Sequence, residues 1–392
     1  MKNRYKILIL VLVISLAVNI TTLYNFNDYS NLLKKFELDK TEERKFNSII
    51  IPDIYQKEKS ILGFEENVQQ KDDFLPWKNE LLEKFQEHQK IPSFDDIELS
   101  NVLLVKKERL NDYHISKFTT YAQDNDEIIF YELIPENKNK MKNCGDKYCF
   151  PTVLIIPGSG NQGAKDVINE ESEFSPYYYH RGIGEELVKL GYVVFVIENR
   201  GWGERADNVE MNCEKPDVYC TGNKLHKHLL NLGYNQFSLQ VIDTIQILKH
   251  IQSLEFVDNE KISIAGLSLG GPVAISVSSL SPNVHSTIAA SGIVSQHMAG
   301  GGLNPGALKF YDMPDLVATL APKPLYLSWG INEKSEFGHE AEKLYSVNLV
   351  KKAYQLFDKE DNLEVNIHDD EFNQGHIFEI NSLIKFLQDT IG

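Results

Sequence analysis

A chain of 392 residues, 42% of them hydrophobic and 24% charged, can bury one large α/β core with insertions, or two modest domains. Its formal net charge of −16 argues against a nucleic-acid partner. It also argues against a purely electrostatic grip on anionic membranes, since both need a cationic surface.

The first residues read as a targeting segment. Lys2, Arg4 and Lys6 precede an apolar run from Ile7 to Ile20 broken only by Ser15 and Asn19. A basic stretch before an apolar core of that length is the pattern of an export signal, and Ser15-Leu16-Ala17 offers a small-x-small cleavage site. Extended to Tyr24, the segment could stay as an anchor. Residues 1–24 are therefore expected to be a signal peptide or membrane anchor. The protein is expected to be secreted, periplasmic or anchored, touching a membrane only through this segment. Residues 25–75 are polar and poorly periodic, and are expected to be a linker or loose arm. The folded domain is expected to span 76–392, with a helical extension over 76–112 starting at Pro76-Trp77 and continuing through Leu81, Leu82 and Phe85.

Tyr113–Tyr121 alternates, and Ile128–Pro135 follows across the polar turn Asp124-Asn125-Asp126-Glu127; two strands around such a turn predict an antiparallel pair. From Thr152 the pattern changes. Short apolar runs at Val153–Ile156, Tyr192–Ile197, Ile262–Ala265, Ser286–Ala290, Leu325–Trp329 and Leu363–Ile367 alternate with helical stretches, most clearly Phe237–Leu254. Buried parallel strands alternating with helices predict an α/β fold with a mostly parallel sheet covered on both faces. The segment 205–236 is long and polar and reads as an insertion.

Four cysteines fall in two polar loops. An even number in an exported chain predicts two disulfides, and proximity favours Cys144–Cys149 and Cys213–Cys220. Zinc is the alternative, but these are not the usual C-x-x-C spacings.

The run Ile262–Ala265 leads into Gly266-Leu267-Ser268-Leu269-Gly270, and Pro272–Leu280 reads as a helix. Strand, sharp turn, helix is the setting in which G-x-S-x-G forms a nucleophile elbow. The glycines are needed because a Cβ on either side of the serine would collide with the adjoining strand or helix. Ser268 would then sit in strained backbone at a helix N-terminus, where the N–H of Leu269 faces any oxyanion formed there.

The other candidates fall at strand ends, where open α/β sheets bind ligands. Pro157-Gly158-Ser159-Gly160 follows the first parallel strand; its glycines let backbone approach a ligand, and Ser159 is placed to give a second oxyanion donor. It lacks the G-K-[ST] ending of a phosphate loop. A serine needs a base, and His376, in the loop before the final helix Ile380–Leu387, is the candidate; His368, His339 and His285 are its rivals. The acid should follow Leu325–Trp329. Glu333 is the best candidate, with Glu336, Glu340 and Asp369 open. Gly158, Gly160, Arg200 and Trp202 are the candidate substrate-binding residues, Trp202 and Tyr177-Tyr178-Tyr179 offering aromatic surface. No metal or organic cofactor is called for by this set.

These stretches resemble the α/β-hydrolase superfamily, close to its dienelactone-hydrolase and acetyl xylan esterase-like branches. The resemblance is carried by Gly191-Tyr192-Val193-Val194, Glu198-Asn199-Arg200-Gly201-Trp202-Gly203-Glu204-Arg205, Asp258–Ile262 with the elbow, Asp315–Ala318, Ala321–Leu325 and Gly375-His376. Three positions depart from it. Pro157 replaces the more usual His, Glu333 stands where Asp is commoner, and Glu198 where Asp often ends the strand. The resemblance implies a serine carboxylesterase acting on a small-molecule or carbohydrate ester, a carbohydrate deacetylase within its range. An inactive hydrolase fold serving as a surface binding protein and a serine peptidase are the alternatives.

Overall fold

The computed structural model describes residues 60–144, 147–160, 163–169, 180–206, 218–292, 304–333, 340–370 and 375–392. Among the described residues ten strands dominate: β1 Leu103–Arg109, β2 Tyr113–Tyr121, β3 Glu127–Pro135, β4 Lys142–Cys144, β5 Lys147–Ile156, β6 Val193–Ile197, β7 Val257–Leu267, β8 Ser286–Ala290, β9 Leu325–Gly330 and β10 Leu363–His368. The longer helices are α1 Lys71–Gln89, α2 Ile183–Lys189, α3 Val218–Asn231, α4 Gln236–Ser253, α5 Gly270–Leu280, α6 Met313–Ala318, α7 Glu340–Gln355 and α8 Ile380–Thr390.

The sheet runs β1-β2-β3-β6-β5-β7-β8-β9-β10. The links β1–β2, β2–β3 and β3–β6 are antiparallel. From β6 to β10 every pair is parallel. The apolar runs are continuous because the central strands are covered on both faces, and period two sorts their residues between two cores. Leu154, Phe195 and Ile264 face one core with Trp77, Leu81 and Phe85 of α1, Val241 and Leu248 of α4, and Val350 of α7. Val153, Val194 and Leu267 face the other with Leu187 of α2 and Phe386 of α8. Helix α4 begins where Asn235 accepts the N–H of Phe237 at 3.0 Å.

Three features differ from the sequence expectations. Residues 60–75, expected to end a loose arm, are folded into the domain. Leu62, Phe64, Val68 and Phe74 are buried in the first core, and the N–H of Phe64 donates to the Asp315 carboxylate at 2.9 Å. Strand β1 was not foreseen: every residue of it is exposed and four of seven are charged, so no apolar alternation marks it. Charge of this kind is what protects a sheet edge. The hairpin β4–β5 was not foreseen either; it carries the Cys144–Cys149 disulfide. Cys213 and the side chain of Cys220 lie outside the described residues, as do residues 1–59. Among the described residues no helix is long and apolar enough to cross a membrane.

Candidate active site

Strand β7 hands the chain to α5 through Ser268, whose φ is +54°. An L-residue there is strained, and its persistence requires surroundings that fix the turn. The N–H of Ser268 donates to Ala290 O at 2.9 Å, and that of Gly271 to Ser268 O at 3.0 Å. A Cβ on Gly266 would stand 2.0 Å from Gly270 O, and one on Gly270 would stand 2.1 Å from Ile156 O. Only glycine fits at either position. Leu269 caps α5, so its N–H lies at the helix N-terminus.

Two neighbouring strand ends bring Glu333 and His376 together. Past β9, Glu333 N donates to Gly330 O at 3.1 Å, and Ile331 N to His368 O at 2.8 Å. Gly330 and Gly375 pack backbone to backbone, a Cβ on the first falling 2.4 Å from the other's Cα. Gly375, at φ +82°, turns the chain into His376. His376 Nδ1 then lies 2.6 Å from Glu333 Oε1. With the proton assigned to Nδ1, Nε2 carries the lone pair of the neutral ring. Glu333 Oε2 accepts from the Lys343 ammonium at the start of α7. The side chains are 1% (Glu333), 3% (Lys343) and 8% (His376) exposed. Burial pushes the Glu333 carboxyl up, but the His376 hydrogen bond and the Lys343 charge outweigh it and hold the carboxyl below the usual range.

Of the rival histidines, His368 is buried at the end of β10 with neither ring nitrogen hydrogen-bonded. Burial holds it below the usual histidine value. His285 donates its backbone N–H to Ile262 O at the other end of the strands. His339, Glu336 and the side chain of Glu340 lie outside the described residues.

The loop after β5 presses on the elbow, since Pro157 O lies 2.7 Å from a Cβ built on Gly270. It is pinned at three points. Asn199 Nδ2 donates to Pro157 O at 2.5 Å, Gly158 N donates to His180 Nε2 at 2.8 Å, and Gly203 N donates to Gly160 O at 3.3 Å. Ser159 is half-buried within it. Beneath it sits Glu198, fully buried, accepting the N–H of Ala164 at 3.1 Å. Cβ atoms on Gly163 and Gly203 would fall 1.9 and 2.4 Å from its Oε1. Burial pushes this carboxyl up to about 8.

Arg200 and Trp202 were expected to meet substrate, and both have other employment. Arg200 donates to Asp243 at 2.8 Å and to Asp124 at 2.5 Å, and Arg205 completes the network through Asp243 and Asp126. Arg200 also lines a cavity of about 240 Å³ with Lys90, Tyr234 and Ser238, to which Ser268, Glu333 and His376 contribute nothing. Trp202 is buried, its ring against Gly222 of α3. Tyr177-Tyr178-Tyr179 lies outside the described residues. His180, Asp166 and Lys343 were missed by sequence reasoning; none sits in a local motif, and only the fold gives them partners.

A mostly parallel, doubly covered sheet with a strained serine elbow, and a histidine–carboxylate pair on later strands, defines an α/β-hydrolase. The chain belongs to the Abhydrolase family, whose model matches residues 32–300. That match includes the elbow and ends before Glu333 and His376. A candidate hydrolase of Bacillus subtilis (strain 168), YtaP, is 22% identical over 197 residues. The aligned part is 47% of this chain and 60% of that relative's length. Among solved structures, a candidate acetyl xylan esterase from Bacteroides fragilis NCTC 9343 superposes with a TM-score of 0.68 at 19% identity, covering 86% of this chain and 93% of the other. A glucuronoyl esterase from Solibacter usitatus superposes with a TM-score of 0.60 at 12% identity, covering 86% and 98%. At such identities the likeness is one of fold.

Proposed function

We propose that this protein is an exported serine carboxylesterase acting on carbohydrate esters through an acyl-enzyme on Ser268. His376 Nε2 takes the Ser268 hydroxyl proton as Oγ attacks the ester carbonyl carbon, and Glu333 stabilises the imidazolium. The N–H groups of Leu269 and Ser159 are the proposed donors to the oxyanion. As the tetrahedral intermediate collapses, the C–O bond to the alcohol breaks and His376 returns the proton to the leaving oxygen. Water, deprotonated by His376, then attacks the acyl carbon and releases the carboxylic acid and Ser268.

The observation that carries the reading is the buried His376–Glu333 pair in the same chain as a positive-φ serine elbow. A fold without chemistry gains nothing from either. The carbohydrate assignment is supported by the fold likeness to the acetyl xylan and glucuronoyl esterases. Export is supported by the basic-then-apolar N-terminus, which precedes the family match.

The test is hydrolysis of p-nitrophenyl acetate and butyrate, with acetate release from acetylated xylan compared with alcohol release from a glucuronate ester. Ser268→Ala is expected to lose turnover and labelling by a fluorophosphonate probe. Equal background in both proteins, with no labelling of either, would sink the esterase and leave an exported binding protein.

A further inference from the structure

The loop bearing Gly158 and Ser159 is held from behind by a second histidine–carboxylate pair. His180 is 0% exposed and Asp166 is 1% exposed. Asp166 Oδ2 accepts from His180 Nδ1 at 2.7 Å and from the His180 backbone N–H at 3.1 Å. A proton on Nδ1 makes Nε2 an acceptor, which is what the Gly158 N–H at 2.8 Å requires. Both ring nitrogens are thus committed, so this histidine has no lone pair to offer a substrate. The turn that carries it is tied to the opposite side of the site as well. The His180 ring lies 6.1 Å from that of Phe378, two residues past His376, and Arg181 pairs with Asp370 at 2.8 Å.

We infer that His180, oriented by Asp166, is a positioning residue: it sets the tilt of the Pro157–Gly160 backbone over Ser268, and so the aim of the oxyanion donors. The inference rests on the ester-hydrolysis reading. Glycine at 158 leaves that peptide free to rotate, and the loop lies directly on the elbow, so a small rotation moves a donor relative to the acyl oxygen. An error of about 1 Å in such an aim costs on the order of 100-fold in rate.

Two substitutions separate positioning from packing. Asn puts its amide at the level of Nδ1, keeping Asp166 and abandoning Gly158. Gln reaches the level of Nε2, keeping an acceptor for Gly158 and abandoning Asp166. In the full chain with p-nitrophenyl acetate, His180→Asn is expected to lower kcat about 100-fold with KM within about threefold. His180→Gln is expected to stay within about tenfold of the parent. Amide hydrogen exchange at Gly158 should accelerate in the Asn variant only. Equal kcat in the two variants, or a better Asn variant, overturns the inference. If the Asn variant does not fold, Asp166→Asn replaces it: a kcat loss at constant KM supports the role, and unchanged kcat overturns it. If the parent shows no Ser268-dependent turnover, the esterase reading has failed on its own. Exchange then decides: unchanged protection of Gly158 in His180→Asn removes His180 as the anchor, and faster exchange retains it.

Discussion

Lys343 helps to hold Glu333 in its charged form. Its ammonium occupies the carboxylate oxygen that His376 leaves unused, and in this buried setting its positive charge favours the carboxylate over the neutral acid. In Lys343→Met that charge is gone, and the Glu333 carboxyl takes up its proton at higher pH. The acidic limb of kcat/KM should therefore move to higher pH, measured over pH 4–8; an unmoved limb would count against the coupling. Glu198 supplies a stability prediction of the opposite kind. Its carboxyl is raised from 4.5 to about 8 in the folded protein, so its contribution is fully present below the unfolded value. That contribution is lost as pH rises through the folded one. Glu198→Gln cannot ionise and keeps an acceptor for Ala164. Urea midpoints of parent and variant should lie close together at pH 5 and separate by pH 8.5, the variant being the more stable there. Of these residues only Ser268, Glu333 and His376 were legible in the sequence. Ser268 sits in a local motif, and the other two follow apolar strands in the expected chain order. Lys343, His180 and Asp166 have hydrogen-bond partners 10 to 22 residues away, and no periodicity announces such pairings.

The elbow is the element whose geometry leaves least room for change. Strand β7 and helix α5 meet with backbone where side chains would be, and the two glycines are dictated by the carbonyls of Gly270 and Ile156. Gly270→Ala places a methyl carbon 2.1 Å from Ile156 O, so either strand β5 or the serine must shift. A loss of about 100-fold in kcat/KM is expected even where the protein still folds, read by esterase assay beside circular dichroism. Full activity in Gly270→Ala would show that the turn has slack. Strand ends elsewhere were readable because two-sided burial writes continuous apolar runs: Ser286–Ala290 is predicted and observed with identical limits. Strand β1 was unreadable for the converse reason. An exposed edge strand owes its conformation to hydrogen bonds with β2, which any charged sequence can make.

At the scale of the whole molecule, the domain begins earlier than its composition suggests. Lys59–Gly392 forms one compact unit. Trp77 Nε1 donates to Leu62 O at 2.7 Å, and Ile61 and Leu62 donate backbone N–H groups to Lys309 and Phe310. Asp315, pushed up by burial to about 7, accepts from Phe64 and Asp312. A chain starting at Lys59 should melt cooperatively. One starting at Pro76 loses four buried apolar side chains, each worth about 2 kcal/mol, a total comparable with the entire stability of many domains. It should melt broadly or aggregate. Equal cooperativity in calorimetry would show that residues 60–75 merely decorate the surface.

By itself the sequence determined the α/β class and the strand series, and it proposed the elbow and the order serine, acid, histidine. Those features are encoded in local periodicity and in short motifs with steric causes. Only the tertiary structure decided that Arg200 serves an ion network, that Trp202 is packed away, and that residues 60–75 belong to the core. It alone also put a buried lysine behind Glu333 and a second histidine behind the loop. The reason is physical: a side chain's chemistry is fixed by its type, but its employment is fixed by which distant groups the fold brings within hydrogen-bonding range.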